Sequence, residues 1–238
     1  MLKRIIQQFD MDVLSMDEVE DSRSSTVYKC TLSTGYNVYL KIPFTKLKFQ
    51  RELEAYDILN GNVSIPEMKD YWSGDAECPG AFVLSELKGR PLTSNATPKI
   101  AYQVGVLQAR MHSLRPPAHQ KLVGMKNQFP NWSHFVEQQF YSFAEDVREI
   151  LDEYLYKQAV EKFESVKHDL PPPDGPSFIH MDFRPANIIV DEDDVTGVID
   201  FESARFGSTE IDFTKLYRDF LSYDERLYSA FQEGYKQY

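Results

Sequence analysis

Cysteine is scarce in this 238-residue chain: Cys30 and Cys78 are the only two, so no disulfide framework can hold it and a buried core has to. Long apolar runs are missing as well. Stretches such as Ala81 to Leu84 are far too short to cross a bilayer, which excludes a membrane-spanning helix. The first residues, Met1 to Gln8, lack the apolar region and cleavage site of a secretory signal, so a cytoplasmic location with reduced thiols is the expectation. Positive charge is in deficit, with 26 Lys and Arg against 37 Asp and Glu and a net charge of −11. That field repels phosphate backbones and anionic lipid headgroups, so neither nucleic acid nor membrane is expected as a partner, whereas a cationic ligand suits it. The histidines show no metal-ligand spacing, and neither a zinc site nor a thiol nucleophile is expected.

What is present is an ordinary globular composition, 42% apolar and 26% charged, with no internal repeat. Val27 to Ile42 reads as a hairpin around Ser33-Thr34-Gly35, with Tyr36, Val38, Leu40 and Ile42 on one face and Asn37, Tyr39 and Lys41 on the other, so that Lys41 points away from the packed side. Lys46 to Leu59 reads as a helix stopped by Asn60-Gly61, and Glu67 to Trp72 and Ala81 to Glu86 read as strands. Beyond Leu87 the texture turns helical. Thr97-Pro98 starts a helix carrying Ile100, Val104, Leu107, Met111 and Leu114, and Pro116-Pro117 stops it. A second long segment puts Val136, Phe140, Phe143, Val147, Ile150 and Tyr154 on one face, and Glu137, Glu145, Glu149 and Asp152 opposite. Short β runs return at 178–180, 187–190 and 195–201, and Phe213, Leu216 and Phe220 resume helical spacing. These elements imply an α+β architecture: a β-rich lobe over residues 1–87 and a mainly helical lobe over 88–238. The run Asp191 to Asp194 has the outline of a calcium loop, but Val195 and Thr196 stand where a ligand and a turn glycine belong, so it reads as a solvated hairpin turn.

The chemistry concentrates in His180-Met181-Asp182-Phe183-Arg184-Pro185-Ala186-Asn187 and in Ile199-Asp200-Phe201-Glu202. Asp182 and Asn187 lie five positions apart on one loop, and Asp200 follows the next strand, so all three can face one point. Asn187 and Asp200 offer hard oxygens suited to Mg²⁺ on a phosphate, which leaves Asp182 to accept a proton. The pattern is that of a phosphoryl-transfer site.

These two motifs resemble the H-x-D-x-x-x-x-N loop and I-D-[FLW]-[EDG] element of the kinase-like small-molecule phosphotransferases typified by aminoglycoside phosphotransferases and choline kinases. The resemblance implies a two-lobed protein-kinase-like fold and transfer of the γ-phosphoryl group of ATP or GTP to a hydroxyl. It makes Lys41 the nucleotide-binding lysine and Glu52 its helical partner, with Glu54 the alternative on another face. It places Ser24 and Ser25 in a phosphate-covering loop that lacks the G-x-G-x-x-G of protein kinases, and maps Ser85 and Leu87 to a lobe connector that meets the base through its backbone. Arg184 stands where it can steady the transferred group, and His180 is expected to support the loop by hydrogen bonding. The acceptor implied is a small hydroxylated molecule, an aminoglycoside or other amino compound first. The acidic face of Glu145, Glu149 and Asp152 reads most simply as a solvated helix surface, with a place in a cationic acceptor pocket as the alternative that the resemblance implies, and Asp219, Asp224 and Glu225 are open to the same two readings. A protein kinase is disfavoured, because Glu202 replaces the glycine of D-F-G, no A-P-E segment follows, and Met181 stands where an arginine belongs. A catalytically inactive nucleotide-binding module is the remaining alternative.

Overall fold

The computed structural model describes residues 2–20, 24–119, 121–170 and 172–238. Ser22 and Arg23 of the serine-rich loop, and Pro171, lie outside them. The N-terminal part carries β1 (Val13–Glu18), β2 (Ser25–Leu32), β3 (Asn37–Pro43), β4 (Met68–Trp72) and β5 (Ala81–Ser85) in one antiparallel sheet of order β1-β2-β3-β5-β4. Both of its faces are covered. On one, α1 (Leu2–Gln8) brings Ile5 against Cys30, Val38, Leu40, Ile42 and Val83. On the other, α2 (Lys46–Leu59) packs Phe49, Ala55, Tyr56 and Leu59 over Phe82 and Leu84. The period-two alternation therefore does not separate core from solvent: Lys41 sits under α2 at 5% exposure, while Tyr36, at the turn, is left outside. Thr45 caps α2 by accepting the Lys48 amide.

The C-terminal part is mainly helical. Helix α3 (Pro98–Ser113), capped by Thr97, packs along α7 (Glu225–Tyr235). Their backbones touch where side chains are absent. A Cβ on Gly105 would stand 2.2 Å from the Phe231 carbonyl, and one on Gly234 2.0 Å from that of Tyr102. Three short strands, β6 (Arg90–Pro91), β8 (Ile188–Asp191) and β9 (Asp194–Val198), form one small sheet, and β7 (Ser177–Ile179) pairs with β10 (Arg205–Gly207). Helix α6 (Glu210–Asp219) follows β10.

The long helix expected from Val136 to Tyr154 is two helices. Helix α4 (Trp132–Val147) ends, and α5 (Glu153–Val166) begins at Asp152, whose carboxylate accepts the Tyr154 amide at 3.0 Å. An aspartate just before a helical run is a better N-cap than a mid-helix residue, and here capping wins over periodicity. The hairpin holds itself together by stacking Phe140 on Phe163, centroids 3.8 Å apart, and leaves Phe143, Ile150 and Tyr154 exposed. No helix among the described residues is long and apolar enough to cross a membrane.

Candidate active site

The site lies where the sheet meets the β8–β9 hairpin. Lys41 reaches from β3 and places Nζ 2.7 Å from Glu52 Oε1 on α2 and 2.7 Å from Asp200 Oδ1 beyond β9. Glu54, on another face of α2, instead accepts the backbone amides of Val123, Gly124 and Met125. Burial by itself would lower the Lys41 ammonium. The charges of Asp200 and Glu52 outweigh it and hold Lys41 above the ordinary lysine value. Burial also drives Asp200 upward, but the charge and hydrogen bond of Lys41 prevail and keep its carboxyl below the usual range. For Glu52 the balance falls the other way: complete burial, with Oε2 lacking any partner among the described residues, raises it from 4.5 to about 7 against the pull of Lys41. A folded-state carboxyl raised in this way contributes stability below pH 4.5 that is lost as pH climbs through about 7. Glu52→Gln is therefore expected to flatten the decline in Tm between about pH 5 and 8, which thermal melts at several pH values will read; an unaltered slope counts against it.

Helix α2 is also tied to the segment after Asp200. Lys48 Nζ lies 3.1 Å from Glu202 Oε1, and Arg51 donates to the Glu202 carbonyl at 2.9 Å. Phe201 is fully buried, edge-on to Tyr56 at 5.5 Å and 5.3 Å from the His180 ring. A chain of edge-on and tilted aromatic contacts thus runs from α2 to the loop that carries Asp182.

On that loop, Asn187 Nδ2 donates to both the carbonyl (2.9 Å) and Oδ2 (3.1 Å) of Asp182. Using up the amide hydrogens fixes the flip of Asn187 and leaves Oδ1 as an acceptor directed elsewhere. His180 Nε2 bonds the Ile199 carbonyl at 2.9 Å, so it braces the loop against β9. Arg184 Nε lies 3.1 Å from Asp182 Oδ2. Two residues that sequence reasoning missed complete the loop. Asp212 of α6, 1% exposed, accepts the backbone amides of His180 (2.6 Å) and Met181 (2.7 Å), and Lys215 places Nζ 2.5 Å from Asp182 Oδ1. The available signal was an acid four residues before buried Leu216, on the apolar face of its helix.

The free oxygens fit a hard divalent cation. Asn187 Oδ1 and Asp200 Oδ2 have no partner among the described residues, and both are of the type Mg²⁺ prefers when phosphates supply the rest. No cluster of three or more His, Cys, Asp or Glu side chains able to hold a metal occurs among the described residues.

The remaining candidates surround this centre. Ser25, 5% exposed, opens β2 opposite Pro43, and the Ser24 carbonyl accepts the Phe44 amide. The Ser85 amide and hydroxyl are both bonded to the Glu67 backbone at 2.8 Å. Leu87 lies on the β8–β9 hairpin: a Cβ on Gly197 would meet Leu87 Cδ1 at 2.9 Å, and Thr196 Oγ1 donates to the Lys88 carbonyl at 2.8 Å. Beside the Asp182 loop an open groove of about 780 Å³ is lined by Leu92, Thr93, Ser94, Arg184, Asp219 and Tyr223, among others. Glu145, Glu149 and Asp152 do not line it. They stand at the far end of the α4–α5 hairpin, Glu145 paired with Arg148 and Asp152 spent as a cap. Asp224 likewise caps α7, with Glu225 in its first turn.

The model of the phosphotransferase enzyme family matches residues 16–238. The chain belongs to that family. Comparison with curated proteins gives no match. Among solved structures it resembles macrolide 2′-phosphotransferase from Brachybacterium faecium, with 15% identity, TM-score 0.76, and 99% of this chain and 82% of that one covered. It also resembles an aminoglycoside phosphotransferase in complex with GDP and kanamycin (16% identity, TM-score 0.77, 98% and 82% covered). A third likeness is to spectinomycin phosphotransferase in complex with ADP and spectinomycin (14% identity, TM-score 0.68, 98% and 79% covered). At such identities these likenesses speak for the fold: this phosphotransferase has the two-lobed, kinase-like architecture.

Proposed function

We propose that this phosphotransferase moves the γ-phosphoryl group of ATP or GTP to a hydroxyl of a small molecule. The observation that carries the reading is the convergence of Lys41, Glu52 and Asp200 within hydrogen-bond reach, across from an Asp182–Asn187 pair on the facing loop. In this reading the base sits against the backbone of Ser85 to Leu87, the β2 start with Ser24 and Ser25 covers the phosphates, and Lys41 orients the α and β phosphates while Glu52 holds it. Asn187 and Asp200 would hold Mg²⁺, which would supply neutralisation of phosphate charge. Asp182 orients the acceptor hydroxyl and takes its proton as oxygen attacks phosphorus in line; the bond to the bridging oxygen breaks and the nucleoside diphosphate leaves with its electron pair. Arg184 is placed to meet the transferred group.

The net charge of −11 favours an amino-bearing acceptor, and kanamycin and spectinomycin are bound in two of the similar structures. The groove itself tempers this. Beyond the Asp182 carboxylate at its edge, the one acid among the described residues that line it is Asp219, which is paired with Arg218 at 2.5 Å, so it fits an acceptor with few amines better than a polyamine. Nucleotide consumption should be screened with aminoglycosides, macrolides, choline, amino acids and sugars under Mg-ATP and Mg-GTP, with Asp182→Asn beside each. Acceptor-dependent consumption lost in the variant is the expected result. Consumption with a generic protein substrate alone would replace the reading with a protein kinase, and none with any acceptor would replace it with an inactive nucleotide-binding module.

A further inference from the structure

Lys215 is the one partner of Asp182 Oδ1 among the described residues. Oδ2 is shared by Arg184 Nε (3.1 Å) and Asn187 Nδ2 (3.1 Å), whereas Oδ1 meets Lys215 Nζ alone, at 2.5 Å. Oδ1, with one partner against two on Oδ2, keeps the larger share of its acceptor capacity for an incoming hydroxyl. The lysine is carried by the helix that borders the groove, though Lys215 itself is not among the groove's lining residues. It lies on α6 four residues before Asp219, which lines the groove, and residues at that spacing neighbour each other on one helical face. It forms no ion pair with another acid among the described residues, and its side chain is 42% exposed, so it is free to shift by the small distance the exchange needs. Asp212, one turn earlier, is committed to the backbone of His180 and Met181, and this pins the base of α6 to the loop it serves.

Resting on the phosphotransferase reading above, we propose that Lys215 is a positioning residue for the transfer: it holds the Asp182 carboxylate with Oδ1 turned to the groove and remains beside the attacking oxygen once the hydroxyl arrives. A flexible ammonium suits this task, because it can follow the carboxylate oxygen as its hydrogen bond is handed to the acceptor. Water is the acceptor in slow nucleotide hydrolysis. There the water oxygen attacks the γ-phosphorus, its proton passes to Asp182, and the diphosphate leaves, so the role can be read without knowing the natural acceptor.

The test measures hydrolysis of Mg-ATP and Mg-GTP by the wild type, Lys215→Met and Lys215→Arg, with a melting curve for each. Lys215→Met is expected to lower kcat at least about tenfold with nucleotide KM within about twofold, the signature of an interaction that acts in the transition state. Lys215→Arg should recover most of the loss, to within about threefold of wild type, and neither variant should shift Tm by more than about 2 °C. A Lys215→Met enzyme with wild-type kcat overturns the proposal, and so does a loss that follows a fall in Tm and is not recovered by arginine. A wild type that neither hydrolyses nucleotide nor transfers phosphate in the acceptor screen sinks the phosphotransferase reading itself, and this inference with it. Activity in the wild type with an indifferent Lys215→Met sinks the inference alone.

Discussion

Asp182→Asn is expected to lower turnover by about 10²- to 10⁴-fold and to leave the affinity for Mg-nucleotide within a few-fold of wild type. The amide is nearly isosteric, so the loop can keep its shape: one oxygen remains to accept from Asn187 Nδ2, now 3.1 Å from Oδ2. On the proposed mechanism, what disappears is the ability to take a proton from the acceptor. The negative charge that Lys215 and Arg184 share at 2.5 and 3.1 Å disappears with it. Two cations relieved of their carboxylate attract phosphates more strongly, so any change in nucleotide affinity should be toward tighter binding. Titration calorimetry with Mg-ATP and Mg-GTP, beside steady-state rates with an acceptor found in the screen, separates the two effects. Turnover near the wild-type level removes Asp182 from the role of base. A loss of nucleotide affinity matching the loss of rate would instead make it a binding residue.

Sequence alone resolved most of the elements because their signals were local. Thr97 caps its helix as a hydroxyl side chain just before a proline does, and Asn60-Gly61 ends α2 with Gly61 at φ 76°. The β2–β3 and β8–β9 hairpins follow from apolar runs around polar turns. The α4–α5 hairpin was misjudged for the opposite reason. Its apolar period runs unbroken through Asp152, and only the capping geometry shows that the chain turns there. The environment of Lys41 could not be read from its strand either, since whether the second face of a sheet is covered depends on a helix packed across it.

The site divides along the same line. Asp182, Asn187 and Asp200 could be singled out from two spaced motifs, and Lys41 and Glu52 only through the family resemblance those motifs carry; the structure brings Lys41, Glu52 and Asp200 into contact and Asp182 against Asn187. Lys215 could not, because its partner lies 33 residues away in sequence and a lysine on a half-exposed helix looks like any other, whereas Asp212 left only its place one turn before Leu216 on the apolar face of α6. Of the acids offered for the acceptor, Asp219 lines the groove, whereas Glu145, Glu149 and Asp152 lie away from it for a geometric reason. Trp132 and Phe135 anchor α4 beside Ile179, and a helix rises roughly 1.5 Å per residue, so Glu145 is carried about 20 Å along the axis from that anchor.

Asp212→Ala should be the most damaging substitution away from the reacting groups. Asp212 is buried, and its two carboxylate oxygens accept the amides of His180 at 2.6 Å and Met181 at 2.7 Å, with His112 Nε2 3.3 Å away. Met181 holds φ at 68°, a left-handed conformation that a long side chain adopts only when its surroundings enforce it, at about 1–3 kcal/mol. Alanine leaves both amides without a partner in the interior, each at about 1–3 kcal/mol, and removes the restraint on that strained residue. A total loss on the order of 3–5 kcal/mol is a large part of a typical domain's stability, and at about 2–4 °C per kcal/mol for a chain of this size it lowers Tm by roughly 6–20 °C. Asp212→Asn recovers little, since its amide nitrogen turns a donor toward a donor. Because the strain sits one residue before Asp182, turnover should fail even at temperatures where the variant remains folded. Thermal melts, rates measured well below the new Tm, and hydrogen exchange at the His180 and Met181 amides would test each step. Protected amides with Tm within about 2 °C of wild type would show that the loop keeps its shape without this carboxylate.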